Sequence, residues 1–281
     1  MLLLAAVVWY VDPRELAARL AAVDARWFAA GLAASIVSNV LSAARWAAIA
    51  RGLGLAARLP QATLMYFRGM TMNVLLPGAT VSGDVLRGYQ LAKSGNPPLR
   101  AGLSVVLDRL SGLWILCAMS LASLLTAAAL GLVAFDKAVT LYVAGLAAAL
   151  ALPWIPLPFF DRRRRELLEM RAPLIASAWL SALVQVFSAA ALWLFAFAVG
   201  VQLSYAAVLA AAAPIFIMGA LPLGWGGFGA REAGAVVVLG VLGVAPGPAT
   251  ALGLLYGLSA VLQGVAAAPL FLVRGGATPR S

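Results

Sequence analysis

The sequence predicts an all-α, polytopic integral membrane protein, and three observations carry that reading. The chain is 64% hydrophobic with only 11% charged residues, whereas soluble domains sit near half apolar and a quarter charged. Its mean hydropathy is +0.98. Long apolar segments recur along it, bounded by Arg, Lys, Pro or Gly, as transmembrane helices are. Residues 1–281 are read as a single transmembrane domain.

The same composition excludes several function classes. The net charge is +10, but the basic residues fall between apolar segments. They read as topology determinants, and no nucleic-acid partner is expected. Histidine is absent and Cys117 is the only cysteine. That removes His-based acid–base chemistry, disulfides within the chain and Cys or His metal sites. No metal and no cofactor are expected.

Met1 to Val11 is apolar but shorter than the ~20 residues that cross a bilayer. It is read as a short first span, or one beginning upstream of Met1, because it lacks a basic start and a cleavage site. Asp12-Pro13 opens a helix with Asp12 as N-cap and Pro13 at the first position. Residues 13–24 mix charged and apolar groups and are placed at the interface. Segment 26–50 spans, with Arg45 near one end. Segment 60–76 is apolar apart from Arg68 and stops at Pro77-Gly78. A short helix from about 83 to 93 ends before Asn96-Pro97-Pro98.

Segment 101–133 is long enough to span with a tilt or bend, and carries Asp108-Arg109 in its first third. Segment 138–160 spans next, closed by Pro153, Pro156 and Pro158, and the polar run Asp161 to Glu166 follows. Segment 173–200 spans again. Segment 205–221 stops at Pro222, segment 231–243 resumes, and segment 248–273 is the last span.

The basic residues test a topology. If 60–93 and 205–243 are re-entrant hairpins, about six full spans remain. Arg51 and Arg58, then Arg87, Lys93 and Arg100, then Arg162 to Arg165, then Arg274 and Arg280 fall on one side. The other side holds Arg14, Arg19 and Arg26, balanced by Asp12, Glu15 and Asp24, plus Asp136-Lys137. The positive-inside rule then puts both termini in the cytoplasm. The hairpins enter from opposite sides, which is the signature of an inverted repeat with a site between them. The alternative, in which each hairpin crosses as two short spans, stays open.

The two helix breaks are the functional clue. The first runs from Leu75 through Pro77, Gly78, Gly83 and Asp84 to Arg87; the second runs from Ala220 through Pro222, Gly224, Gly226, Gly227 and Gly229 to Arg231 and Glu232. Of ten acidic residues, only Asp84, Asp108 and Glu232 fall in membrane-embedded segments. Each has an Arg close in sequence: Arg87, Arg109 and Arg231. An unpaired charge costs ~2.5–3.5 kcal/mol at a helix centre, so these groups face protein, water or one another. Structural ion pairs and a cavity lining are both open readings of any one pair.

Glycines at the breaks permit tight turns and leave N–H groups accessible at a helix start, which favours an anion. With Arg87 and Arg231 beside them, the ligand expected is an anionic lipid head group. Close packing is the simpler use of Gly69 and Gly102. Trp225 and Phe228 are read either as a gate or as interfacial anchors. Tyr66, Asn73, Tyr89 and Gln263 are assigned to hydrogen bonds between helices.

These blocks carry a family resemblance. Asn73 to Pro77-Gly78, then Gly83-Asp84 with Arg87, then Asp108-Arg109-Leu110, then Leu221-Pro222 with Gly226-Gly227, Gly229 and Arg231-Glu232 resemble the lysylphosphatidylglycerol synthase transmembrane region. This is the flippase-like membrane half of multiple peptide resistance factors. The resemblance covers about residues 26–273, although Glu is common in the family where this chain has Asp108. It implies a multi-pass protein of the bacterial inner membrane with re-entrant elements, linked to moving or presenting lipids. Relatives are associated with glycolipid or hopanoid pathways. Full-length lysyl-lipid synthases carry a C-terminal aminoacyl-transfer domain, whereas this sequence stops at Ser281. Enzyme activity is therefore not carried over.

The expectation is a lipid translocator. Arg87 and Arg231 bind the head-group phosphate, and Asp84, Asp108 and Glu232, with Arg109, orient those arginines or gate the site. Gly78, Gly83, Gly226, Gly227 and Gly229 line it, and Pro77 and Pro222 break the helices. The alternative is an accessory subunit that presents a lipid intermediate to a separate lipid-modifying enzyme. A membrane enzyme is disfavoured, since three carboxylates far apart in sequence make no metal-diphosphate motif. A second copy of the chain is admitted as a partner.

Overall fold

The computed structural model describes residues 2–76, 81–131, 136–151, 164–223 and 225–273. Pro77, Gly78, Gly224, the prolines between 153 and 158, and the tail arginines lie outside these residues. The described chain is helical: α1 Leu2–Val11, α2 Pro13–Ala21, α3 Ala25–Gly52, α4 Leu59–Leu75, α5 Val81–Lys93 and α6 Pro98–Ala129. After these come α7 Lys137–Ala151, α8 Arg164–Ala198, α9 Tyr205–Ala220, α10 Ala230–Val241, α11 Pro246–Ala266 and a terminal 3-10 turn, Ala268–Leu272.

Local chemistry sets the boundaries. Asp12 caps α2 by accepting from Arg14 N at 2.9 Å, with Pro13 in the first turn. Asp24 caps α3 by accepting from Arg26 N at 2.8 Å. Among the described residues, four helical stretches are long and apolar enough to cross a membrane: Ala25–Gly52, Pro98–Ala129, Ala172–Ala198 and Pro246–Leu272. Of the other expected spans, the described residues form 10 helical residues in α1 and 15 in α7. Helix α2 does more than lie at an interface. Leu16 is buried in the core, and α2 packs on α11 with Glu15 beside Gly247.

The element order long, short, short, long occurs twice, as α3 to α6 and again as α8 to α11. The packing repeats with it. Helix α4 packs on α5 as α9 packs on α10, and α5 on α6 as α10 on α11. The halves also interlock, with α4 against α11 and α9 against α6. The axis of the assembly is the α3–α8 pair. Asp24 N donates to Ala198 O at 3.0 Å, Ser38 Oγ lies 2.7 Å from Ser188 Oγ, and Gly52 abuts Pro173. Contacts from start to end and from end to start make these two helices antiparallel. A Cβ at Gly31 would stand 2.6 Å from the Phe195 ring, so a residue without one is required for this closeness.

Proline inside a membrane helix needs compensation, and α9 shows how it is supplied. Pro214 withholds the N–H that Ala210 O would accept. Tyr142 Oη on α7 donates to that oxygen at 2.5 Å. Ser120 and Ser123 on α6 donate to Leu209 O and Ala206 O, each at 2.8 Å. Tyr142 thus satisfies the one carbonyl that Pro214 frees, while the two serines add second donors to carbonyls of the preceding turn.

Candidate functional site

Five charged side chains join α3, α5 and α6 into one chain of ion pairs. Arg45 Nε reaches Asp108 Oδ1 at 2.8 Å, and Arg87 Nη2 reaches Asp108 Oδ2 at 3.2 Å. Arg87 Nη2 also lies 3.1 Å from Asp84 Oδ1, and Arg109 grips both Asp84 oxygens at 2.8 Å. Arg87 is 2% exposed, and its guanidinium sits 4.8 Å from the rings of both Trp46 and Tyr66. Three cations against two carboxylates leave one positive charge over. Among the described residues, buried nitrogens remain without a hydrogen-bond acceptor: Arg45 Nη1, and Nε and Nη1 of Arg87.

This arrangement corrects the pairing expected from sequence. Asp108 does not pair directly with Arg109. Adjacent residues point about 100° apart around a helix, so they do not face each other. Asp108 turns inward to Arg45 and Arg87, while Arg109 turns to Asp84 across the α5–α6 contact. Asp84 and Arg87, three residues apart, do share a face and do pair. Arg45 was the residue missed. Its signal was a charge inside an apolar span, which in a membrane marks a buried partner.

The first break is built by close approach. Gly83 lies within α5, and a Cβ there would stand 2.6 Å from Asn73 Oδ1 and press on the Gly69 carbonyl. Asn73 Oδ1 accepts from Gly83 N at 2.7 Å and from Ser82 Oγ at 3.1 Å. The α4 side chain therefore caps the start of α5 and occupies an N–H expected to be free for an anion. Tyr66, Gly69, Met70, Asn73, Gly83, Asp84, Arg87 and Arg109 line a polar crevice of about 20 Å³. That holds about one water, not a lipid head group. Arg109, 37% exposed, is its outermost cation.

The second break is turned by glycines in left-handed backbone: Gly226 at φ 59°, Gly227 at 80° and Gly229 at 89°. Glu232 accepts from Gly229 N and caps α10. Arg231 Nη2 donates to Gly226 O at 3.1 Å, and the guanidinium lies 5.7 Å from the Phe228 ring and 5.8 Å from that of Tyr256. Its Nη1 stands 3.9 Å from Glu232 Oε1. Neither atom has a hydrogen-bond partner among the described residues.

The two breaks share a geometry that their sequences conceal. In the first, Gly69 on α4 faces Gly83, and Arg87 follows four residues later; in the second, Gly219 on α9 faces Gly227, and Arg231 follows four residues later. The breaks also touch. Trp225 Nε1 donates to Val74 O in the last turn of α4 at 2.7 Å, and Gly264 on α11 packs against Val74 and Met70. The charged clusters themselves remain separate: Asp84, Arg87, Asp108 and Arg109 with Arg45 in one, and Arg231 and Glu232 in the other. Among the other polar groups, Gln263 joins Asn39 and Ser35 at 2.9 Å each, whereas Tyr89 is exposed beside Lys93.

No curated protein matches the chain. The family model for the Lysylphosphatidylglycerol synthase TM region matches residues 1–268, nearly the whole sequence. With four apolar helices of spanning length beneath that match, the chain is an integral membrane protein that belongs to the lysylphosphatidylglycerol synthase transmembrane region family.

Proposed function

We propose that the protein is a flippase-like lipid translocator that binds an anionic phospholipid or glycolipid head group at its broken hairpins. One observation carries the reading: the Arg45–Asp108–Arg87–Asp84–Arg109 chain holds one surplus positive charge beside a polar crevice. A buried cation without a counter-charge is costly, and an anionic head group supplies that charge. The family match supports a lipid-related role. The acyl chains remain in the bilayer while the head group crosses, and the closed crevice represents one state of a cycle that opens to each leaflet.

In this reading residues 1–281 form one domain of the bacterial inner membrane, with six full spans, two re-entrant hairpins and both termini cytoplasmic. Helices α3–α6 and α8–α11 form an inverted repeat. The antiparallel packing of the corresponding helices α3 and α8 supports the inversion. The chain itself does no lipid-modifying chemistry.

Reconstitution tests the proposal. Fluorescent anionic lipids in proteoliposomes are quenched from outside, and the protected fraction is followed. Wild type empties the protected pool, while Asp84→Ala and Arg231→Ala do not. If wild type behaves as empty liposomes across several head groups, the chain does not translocate alone. Flux restored by a lipid-modifying partner would then establish the accessory role.

A further inference from the structure

We propose that Glu232 is a proton-binding group and that lipid movement is coupled to a proton gradient through it. The proposal rests on the translocator reading above and adds its energy source. Three carboxylates lie in the membrane interior, and the structure treats them differently. Both oxygens of Asp108 and both of Asp84 receive guanidinium donors within 3.2 Å. Glu232 is 0% exposed, yet only Oε2 is engaged, by Gly229 N. Among the described residues its Oε1 has no donor, and the nearest cation, Arg231 Nη1, stops 3.9 Å away.

Among the described residues the surroundings offer Oε1 nothing else that carries charge. On α10 itself the charged neighbour is Arg231, shared with the Phe228 ring and Gly226 O. Helix α9 packs Pro214, Met218 and Gly219 against α10, none of them titratable. Helix α11 brings Gly253 against Cα and Cγ of Glu232 and the Tyr256 ring near Arg231. Helix α1 contributes Tyr10, which lines an apolar groove with Ala233, Val236 and Val237 on the outer side of α10. A lone carboxylate oxygen in such surroundings is costly while charged, and a proton removes the charge.

Charge bookkeeping links that proton to the lipid. With Glu232 ionised, the second cluster is neutral. With a proton on Oε1, Arg231 keeps its charge without a counter-charge, and the cluster acquires the single surplus cation that the first cluster always holds. A mono-anionic head group therefore binds at the second hairpin when Glu232 is protonated, and its departure accompanies loss of the proton to water on the opposite side. One proton moves with one lipid.

The test is lipid distribution in proteoliposomes under an imposed pH gradient, with fluorescent phosphatidylglycerol as the probe. For one proton per lipid, one pH unit shifts the leaflet ratio of the probe by up to about tenfold. Glu232→Gln shows no shift that depends on the gradient. Wild-type flux that reaches an even distribution whatever the gradient overturns proton coupling while leaving translocation intact. Absence of any wild-type flux overturns the translocator reading instead. In that event infrared difference spectra of wild type and Glu232→Gln, recorded between about pH 5 and pH 8, decide the residue's role. A protonated-carboxyl band that titrates in wild type and is missing from the variant supports Glu232 as the proton-binding group. No titrating band overturns it.

Discussion

Arg45 and Asp108 lie 63 residues apart in the chain and 2.8 Å apart in space, with both side chains buried. Their contact ties the first long helix to the helix that closes the same half. Arg45→Met leaves Asp108 with Arg87 as its remaining direct partner and lowers stability by about 3–5 kcal/mol, as breaking a buried pair does. Thermal unfolding in detergent measures this. The double variant Arg45→Met with Asp108→Leu recovers part of the loss, because no half-compensated carboxylate then remains.

An added Cβ has no room at Gly83 or Gly227, and open space at Gly102 or Gly145. A Cβ at Gly83 would meet the Gly69 carbonyl carbon at 2.8 Å, and one at Gly227 would meet Arg231 Nη2 at 2.8 Å. A Cβ at Gly102 or Gly145 meets nothing within 4 Å. Gly83→Ala and Gly227→Ala therefore each cost about 1–3 kcal/mol, with extra strain at Gly227 from its positive φ. Gly102→Ala and Gly145→Ala change the unfolding temperature little. The comparison also separates Gly69, which is packed, from Gly102, which faces open space.

Tyr142→Phe removes one oxygen and orphans one carbonyl. Ala210 O loses its donor because Pro214 has no N–H to give. The expected loss is about 1 kcal/mol, in line with hydrogen bonds between membrane helices. Pro214→Ala restores the helical donor, so the cost of Tyr142→Phe shrinks in that background. A double-mutant cycle by thermal unfolding reads the coupling.

Trp225→Phe keeps an aromatic ring at the second break and deletes its hydrogen bond to Val74 O. The break tips then lose the contact that ties them, and a cysteine placed at Asn73 becomes more reactive to a water-soluble maleimide than in the Trp225 background. Equal labelling in both backgrounds would show that this bond does not hold the crevice closed.

Much of this was legible in the sequence. Pro222 and the paired charges flagged the breaks, and capping by Asp12 and Asp24 follows from residue type. The pairing of charges was not legible, because Asp108 and Arg109 are neighbours in the chain but point to different helices. Arg45 stood out only as a charge near one end of a span because its partner lies three helices farther along, and only packing brings them together. The repeat was faint because its first glycine moves. Gly69 precedes Gly83 by 14 residues, whereas Gly219 precedes Gly227 by only 8. The invariant part, a glycine four residues before an arginine, is too short to stand out without the contacts that give it meaning.

The central claim is that the surplus cation of the first cluster recognises the charge of a lipid head group. The most direct measurement compares translocation of fluorescent phosphatidylglycerol with that of the phosphatidylcholine analogue, in wild type and in Arg109→Gln, the variant at the crevice's outermost cation. The account predicts that wild type moves the anionic probe at least about tenfold faster, a difference of about 1.4 kcal/mol, and that Arg109→Gln loses that preference. Equal rates for the two probes in wild type, or a preference unchanged in Arg109→Gln, would contradict it.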